Sequence, residues 1–319
     1  MMRKLICLLL ILLLGAAPAL AAETVYGHLM TDGERVFLET REAGLFGQQS
    51  VIREITDGMD VVVARMKHVT DCFVAEDMLC VAVVTNKTKG VALAIALYGY
   101  GLDDGEERLT LHLNQSGMSA PHYGLGRMNG RIVLETRTGG RSYAFVSADG
   151  TVGETFYEIP VRYFRRTETY VASYDREENE VLVFDPAAMQ EHVLPLECCP
   201  GSPDDPESLL PAGVLAQGRL VYPREDGVWS YGFAAGQLVR LVEEQEPGCF
   251  CVQDGMLCLA SDDGRLLTCD LDTRQITVLD LPLSKSESFV IAGGQLYIWN
   301  GTEGAWRIEP LPGMEEATP

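Results

Sequence analysis

The sequence predicts an all-β fold, namely a β-propeller of four-stranded antiparallel blades. Three observations indicate this fold: apolar residues alternate in short runs from Glu23 onward, turn residues separate the runs, and the combination recurs along the chain. Alternation over a few residues is the pattern of a half-buried strand, whereas a helix would show a period near 3.6 residues. A recurrence of about 40 to 50 residues is typical of propeller blades.

The clearest single unit runs from Cys249 to Pro282. We expect its first strand to end at Val252 and the next three to span residues 256–260, 265–271 and 275–281. Asp-Gly pairs separate the first three strands, and such a pair between apolar runs predicts a tight hairpin, because glycine adopts positive φ without steric cost. Four short strands cannot bury both faces of their sheet alone, so the unit requires neighbouring copies.

The same turn followed by an apolar strand occurs seven times, at intervals of about 37 to 53 residues. The turn pairs are Asp32-Gly33, Glu76-Asp77, Asn129-Gly130, Glu178-Asn179, Gln217-Gly218, Asp254-Gly255 and Gly293-Gly294. We therefore predict one domain of seven blades over residues 23–312, with six blades as the alternative, and a disordered tail over 313–319. We expect the segment from Thr24 to Met30 to complete the C-terminal blade and so close the ring.

Residues 1–22 have the pattern of a signal peptide. Arg3 and Lys4 precede the apolar stretch from Leu5 to Ala17, and small residues follow it up to Ala22. The stretch is shorter than the roughly 20 residues that a membrane-spanning helix needs. We expect cleavage and a secreted or extracytoplasmic location, at the cell surface or in the periplasm, with retention of the segment as an anchor as the alternative.

The formal net charge of −21 limits the possible partners. Nucleic acid requires a cationic surface, and anionic lipid attracts basic segments, so the sequence predicts neither nucleic-acid binding nor membrane binding after cleavage. We expect a monomer whose partner is an unknown protein or a carbohydrate ligand.

The order of strands and Asp-Gly turns resembles the repeats of bacterial exported β-propellers, including the quinoprotein-like kind. The segment from Leu267 to Gln275 resembles the third strand and turn of that repeat, and Val183-Phe184-Asp185-Pro186 is a weaker match. The resemblance covers nearly the whole mature chain. It implies the fold and leaves the activity open.

Eight of the nine cysteines lie in the predicted mature chain. Two-residue turns at 254–255 and 263–264 would place Cys251 opposite Cys258, and Cys258 opposite Cys269. We interpret the cysteines first as small apolar core residues; one cross-strand disulfide or a zinc site are the alternatives. The sequence leaves the connectivity open among Cys72, Cys80, Cys198, Cys199, Cys249, Cys251, Cys258 and Cys269.

No catalytic, cofactor-binding or metal-binding residues are predicted, and no cofactor. The histidines lack the spacing of metal-binding motifs, and we interpret them as isolated: His28, His68, His112, His122 and His192. Gly-Tyr-Gly at 99–101 and Gly-Leu-Gly at 124–126 predict turns rather than phosphate-binding loops, because no helix follows either. A propeller can nevertheless bring distant residues together at its axis.

Two further features of the sequence each have a structural and a functional interpretation. The proline-rich segment from Glu197 to Gly213 predicts a surface loop, either a tolerated insertion or a lid. Alternation places Trp229, Tyr231 and Phe233 on one strand face, which favours a core between blades, with a sugar-stacking platform as the alternative.

These patterns together predict a ligand- or protein-binding or scaffolding module rather than an enzyme. The alternative is an extracellular glycan hydrolase or lyase with a composite site at the propeller axis.

Overall fold

The computed structural model describes residues 26–44, 47–88, 91–115, 121–138, 140–159, 163–244 and 247–311. In these residues 27 strands form seven antiparallel sheets. The first strand of a sheet packs beside the first strands of neighbouring sheets around a common axis. The fold is a seven-bladed β-propeller, so the predicted blade count is confirmed and the six-blade alternative is wrong. The predicted signal peptide and tail lie outside the described residues.

Each blade is built from strands that are consecutive in the chain. The first strand lies next to the axis, and each later strand lies one position farther out. The strands of blades one and two are β1 (Gly27–Thr31), β2 (Val36–Gly44), β3 (Gly47–Glu54), β4 (Val61–Lys67), β5 (Val69–Ala75), β6 (Met78–Thr88), β7 (Val91–Gly101) and β8 (Glu107–Asn114). Those of blades three and four are β9 (His122–Met128), β10 (Arg131–Arg137), β11 (Arg141–Val146), β12 (Val152–Ile159), β13 (Tyr163–Arg166), β14 (Val171–Asp175), β15 (Glu180–Asp185) and β16 (Gln190–Leu194).

Blades five to seven follow the same order. Their strands are β17 (Val214–Ala216), β18 (Arg219–Arg224), β19 (Gly227–Gly232), β20 (Gln237–Val242), β21 (Phe250–Gln253), β22 (Met256–Ala260), β23 (Arg265–Asp270), β24 (Ile276–Pro282), β25 (Ser288–Ala292), β26 (Gln295–Asn300) and β27 (Ala305–Pro310). Short 3-10 turns cover Thr56–Gly58 and Leu196–Cys198. Neither these nor any other helix in the described ranges has the length and apolar character needed to cross a membrane.

Six of the seven predicted turn pairs join the first two strands of a blade. In blade four the pair Glu178-Asn179 instead joins the second and third strands, β14 and β15. The first turn of that blade contains no glycine and is closed by a hydrogen bond of 2.9 Å from the Thr167 N–H to the Tyr170 carbonyl. The predicted number of blades is therefore right, although this turn joins the second and third strands of its blade and not the first and second.

The register of blade six differs by one residue from the prediction. Cys251 stands opposite Cys258 as predicted, but Cys258 stands opposite Thr268 and not Cys269. The backbone of Ser261 bonds to the Arg265 carbonyl at 2.8 Å, so the turn holds three residues rather than two. Because one residue of shift reverses the faces of a strand, the two cysteines lie on opposite faces of the blade.

In the described residues the ring closes by side-chain packing and a backbone hydrogen bond, and no strand of one terminal blade pairs with a strand of the other. The prediction that the N-terminal strand completes the C-terminal blade is wrong, because β1 pairs with β2 across the short turn at Asp32-Gly33. At the seam, Leu29 and Leu38 of blade one pack in one buried cluster with Trp299 of blade seven. The Gly293 N–H donates to the Gly33 carbonyl across the same seam at 3.0 Å.

The eight cysteines of the described residues are unpaired. The first interpretation, apolar filling, is confirmed for the six that are buried: Cys72, Cys80, Cys198, Cys199, Cys258 and Cys269. Burial raises the pKa of Cys80 and of Cys199 to about 12. The reactive thiolate is therefore scarce at neutral pH, and oxidation of these residues is disfavoured.

The segment from Glu197 to Gly213 is anchored at both ends. Two cysteines and two leucines near its ends lie in the core between blades four and five: Cys198, Cys199, Leu209 and Leu210. The Tyr170 hydroxyl donates to the Pro211 carbonyl at 2.8 Å. The segment is thus a structural part of the interface between these blades, and the lid interpretation has no support.

The aromatic residues of blade five also contribute to packing. Tyr231 is buried in the same core, and Phe233 packs against it with its ring centroid 5.4 Å away. Trp229 is half-buried and lies between the guanidinium groups of Arg224 and Arg240. The core interpretation is confirmed for Tyr231 and Phe233.

Candidate binding surface

Blade seven has three strands in the described residues, whereas each of the other six blades has four. Its outermost strand, β27, pairs with β26 along one edge. No strand in the described ranges pairs with the other edge. An open strand edge presents backbone N–H and C=O groups that can bond to another chain. This edge also lies one strand nearer the axis than the outer edges of the other blades.

The position of the missing strand is a groove between β27 and the outer half of blade one. Its volume is about 440 Å³. The lining residues are Leu38, Thr40, Arg41, Glu42, Arg53, Asp60, Trp299, Gly304, Ala305 and Trp306. Trp306 and Ile308 of β27 pack toward this side, against the buried cluster between blades seven and one. A strand added to β27 would therefore direct every second side chain into the groove.

The outer strand of blade one begins with exposed apolar side chains. Met59, Val61, Val62 and Val63 are 45%, 51%, 39% and 42% exposed. Val62 stands opposite Arg53, which stands opposite Leu38, so these three share the face that looks toward blade seven. Because blade seven has no fourth strand among the described residues, none of them covers that part of blade one. Several exposed apolar side chains close together in sequence on a strand are unusual on a protein surface and indicate an interaction site.

A second apolar groove lies on the opposite face of β4, between blades one and two. It has a volume of about 330 Å³, and its apolar lining residues include Phe37, Val63, Met66, Leu79 and Leu102. The start of β4 is thus exposed between two grooves.

The edge strand β27 is fixed in place by an ion pair. The Arg307 guanidinium donates to the buried carboxylate of Glu287 at 3.2 Å and to the Pro282 carbonyl at 2.7 Å. Glu287 also accepts the Ser284 N–H at 2.8 Å. Burial alone would raise the pKa of Glu287, but the hydrogen bonds from Arg307 and Ser284 outweigh it, and the pKa is lowered.

We expect Glu287→Gln to reduce the stability of the protein by about 2 kcal/mol at pH 7, because a charge-assisted hydrogen bond is lost. A lowered folded-state pKa contributes stability above the ordinary pKa near 4.5, and this contribution is lost as the pH falls through the folded value. Urea unfolding of both proteins at pH 7 and pH 3 measures the difference. If the difference in unfolding free energy between the two proteins were the same at both pH values, this role of Glu287 would be contradicted.

Charged residues do meet near the axis, as the composite-site alternative requires. Burial raises the pKa of Asp71, and the charges of Arg166 and His28 act on it in the opposite direction. Glu39 also lies within electrostatic range of Asp71 but is only 2% exposed and accepts the Ser50 hydroxyl at 2.6 Å. In the described part of the chain, no three potential metal ligands come together.

The two glycine-rich motifs are not turns, which corrects the prediction for both. Residues 99–101 lie within β7, and residues 124–126 lie within β9. In each strand the missing side chain makes room for a neighbour: a Cβ on Gly99 would lie 2.9 Å from the Leu109 Cβ. Close packing, not a turn, explains these glycines.

Solved structures with similar folds are propellers of unrelated sequence. Hsv2 of Kluyvelomyces marxianus is 9% identical, with 90% of this chain and 99% of that chain covered and a TM-score of 0.51. The computationally designed protein Ika8 is 11% identical, with 90% and 96% covered and a TM-score of 0.46. BamB of Moraxella catarrhalis is 13% identical, with 89% and 84% covered and a TM-score of 0.44.

No family model matches the sequence, and no curated protein is significantly similar to it. The resemblance to quinoprotein-like repeats therefore stays a prediction from the sequence. At these levels of identity the likeness to solved structures supports the fold alone. Any function has to be argued from this chain's own surface.

Proposed function

We propose that this protein is an extracytoplasmic protein-binding module that accepts an extended segment of a partner polypeptide at the open edge of blade seven. The observation that carries the proposal is a three-stranded blade beside the exposed apolar start of β4. The partner segment would form the fourth strand of the blade. Backbone hydrogen bonds to β27 would supply affinity, and alternate side chains entering the groove would supply specificity.

The groove determines which segment fits. Its apolar lining includes Leu38 and Trp306, and three of its four charged lining residues are already paired with each other: Arg53 bonds to Glu42 at 2.7 Å and to Asp60 at 3.2 Å. We therefore propose a partner segment with apolar, uncharged residues at alternate positions. The outermost strand of blade six, β24, has this pattern at the corresponding place in its own blade.

The extracytoplasmic location rests on the signal-peptide pattern of residues 1–22. Eight unpaired cysteines would be a liability in an oxidising compartment. Burial and the raised thiol pKa values limit that liability, so the cysteines are compatible with export.

The alternative of a glycan hydrolase or lyase has less support. Such enzymes require two carboxyl groups that flank the scissile bond of a bound sugar. Of the carboxylates that act on one another near the axis, Glu39 is buried and bonded to Ser50, whereas Asp71 is half-buried. The binding function is therefore favoured.

A peptide that copies residues 275–282 tests the edge directly, since it carries the β24 pattern. We expect saturable binding of the labelled peptide, measured by fluorescence anisotropy. The same peptide N-methylated at alternate residues cannot form the backbone ladder and should not bind. Val62→Asp should weaken binding about tenfold, because it removes apolar contact worth about 1.5 kcal/mol from the face of blade one that the added strand would cover.

Val193→Asp is the matched control, because Val193 is 49% exposed on the outer strand of blade four, away from the groove. Binding should be unchanged in this variant. Equal weakening by both substitutions, or equal binding of the N-methylated peptide, would exclude strand addition at blade seven.

A further inference from the structure

Two buried hydrogen-bond donors without partners lie together between blades three and four. Among the described residues, three buried polar side-chain atoms have no hydrogen-bond partner: the Tyr143 hydroxyl, the Arg166 Nη1 and the Gln115 Nε2, of which the last comes directly after β8 in blade two. Tyr143 is fully buried and packs in one cluster with Val171. Arg166 stands directly opposite Val171 on the neighbouring strand. A buried donor without a hydrogen-bond partner raises the free energy of the folded protein. Two such donors close together therefore indicate a position for a ligand.

The innermost strand of blade three makes room for these groups. A Cβ on Gly126 would lie 2.8 Å from the Arg166 Nη2, so a larger residue would displace the guanidinium. The same Nη2 donates to the Leu125 carbonyl at 3.4 Å. Arg166 is half-buried and lies on β13, the innermost strand of blade four.

The surroundings carry an excess of positive charge. Glu135, which stands opposite Tyr143, is buried and accepts from Arg137 Nε at 2.8 Å and from Arg141. Its single negative charge is thus bonded by two arginines. Arg166 forms no ion pair within the described ranges, although it interacts electrostatically with Asp71. A cationic interior is unexpected in a chain with a net charge of −21.

We propose that this interface binds a small oxyanion, a carboxylate or phosphate group, through the Arg166 guanidinium and the Tyr143 hydroxyl. Both groups are donors, and a guanidinium matches the paired oxygens of a carboxylate or phosphate. The Arg141 guanidinium lies 3.6 Å above the Phe164 ring beside the site and adds positive charge to it. The site is separate from the open edge of blade seven, so it does not depend on the proposed function.

Calorimetric titration of the purified protein with acetate and, separately, with inorganic phosphate tests the proposal in a chloride buffer without other oxyanions. We expect saturable binding of one or both anions, and the stronger response identifies which oxyanion the site prefers. Tyr143→Phe removes only the hydroxyl and should weaken binding about tenfold, the effect of one hydrogen bond. Arg166→Gln should weaken it at least as much.

Tyr170→Phe is the matched control, because the Tyr170 hydroxyl is equally buried but bonds to Pro211 and Gly213. This variant should bind anions with unchanged affinity and melt at a lower temperature. Tyr143→Phe should melt no lower than the parent protein, so lost binding cannot reflect unfolding. Absence of binding by both anions, or unchanged affinity in Arg166→Gln, would overturn the proposal.

Discussion

Trp299→Ala is expected to reduce the free energy of unfolding by about 3–5 kcal/mol, the cost of truncating a buried aromatic side chain. Trp299 is 5% exposed and lies in the cluster that joins blade seven to blade one. Its indole fills the space in which Gly27 would carry a Cβ. Because no described strand is shared between blades seven and one, this cluster is an apolar contact that holds the two blades together.

Trp229→Ala provides the comparison, measured by urea unfolding under the same conditions. Trp229 is half-buried, and its Nε1 donates to Asp226 at 2.8 Å on the surface of blade five. We expect this substitution to cost about 1 kcal/mol. Similar losses for the two tryptophans would show that the seam between blades seven and one is not specially sensitive.

Gly213→Ala is expected to cost about 3 kcal/mol, at the upper end of the range for overpacking. A Cβ at this position would lie 2.8 Å from the Tyr222 Cβ and 2.9 Å from the Tyr222 Cα, and would also overlap the Val221 carbonyl. Backbone atoms of a buried strand cannot move aside as a flexible side chain can. The Gly213 N–H in addition donates to the Tyr170 hydroxyl at 3.1 Å, which fixes its position.

Gly232→Ala in the same blade is the control. The nearest atom to a Cβ at Gly232 would be the Ala235 Cβ at 4.0 Å, an ordinary contact. The melting temperature should therefore change little, in keeping with surface substitutions that alter stability by about 0.5 kcal/mol or less. If Gly213→Ala were equally neutral, the close approach between the end of the proline-rich segment and β18 would not be as tight as described.

The number of blades could be predicted from the sequence because each blade repeats a local signal. A turn residue pair followed by an apolar strand depends on neighbouring residues only, and six of the seven pairs have the predicted position. The ring closure could not be predicted in this way. Whether β1 pairs with β2 or with the last blade depends on contacts between distant parts of the chain, and either choice fits the same apolar pattern.

Neither candidate site has a local signature in the sequence. The groove at blade seven results from a strand that is missing in the described residues, and its apolar side chains come from blade one. The oxyanion site joins Tyr143 and Arg166, which lie on different blades, and Gly126 was interpreted as part of a turn. A glycine at every second position of an otherwise strand-like run, as at 124 and 126, is a signal that could have indicated a strand with a close neighbour.

The pairing of the described strands within single blades also bears on how this chain can be assembled. Each sheet in the described residues is made from one continuous stretch, so it needs no segment from the opposite end of the chain. A chain delivered from its N-terminus can complete blade one, then blade two, and so on, while later residues are still arriving. The remaining step is the packing of blade seven against blade one. In the described residues this step requires no strand to move from one blade to another.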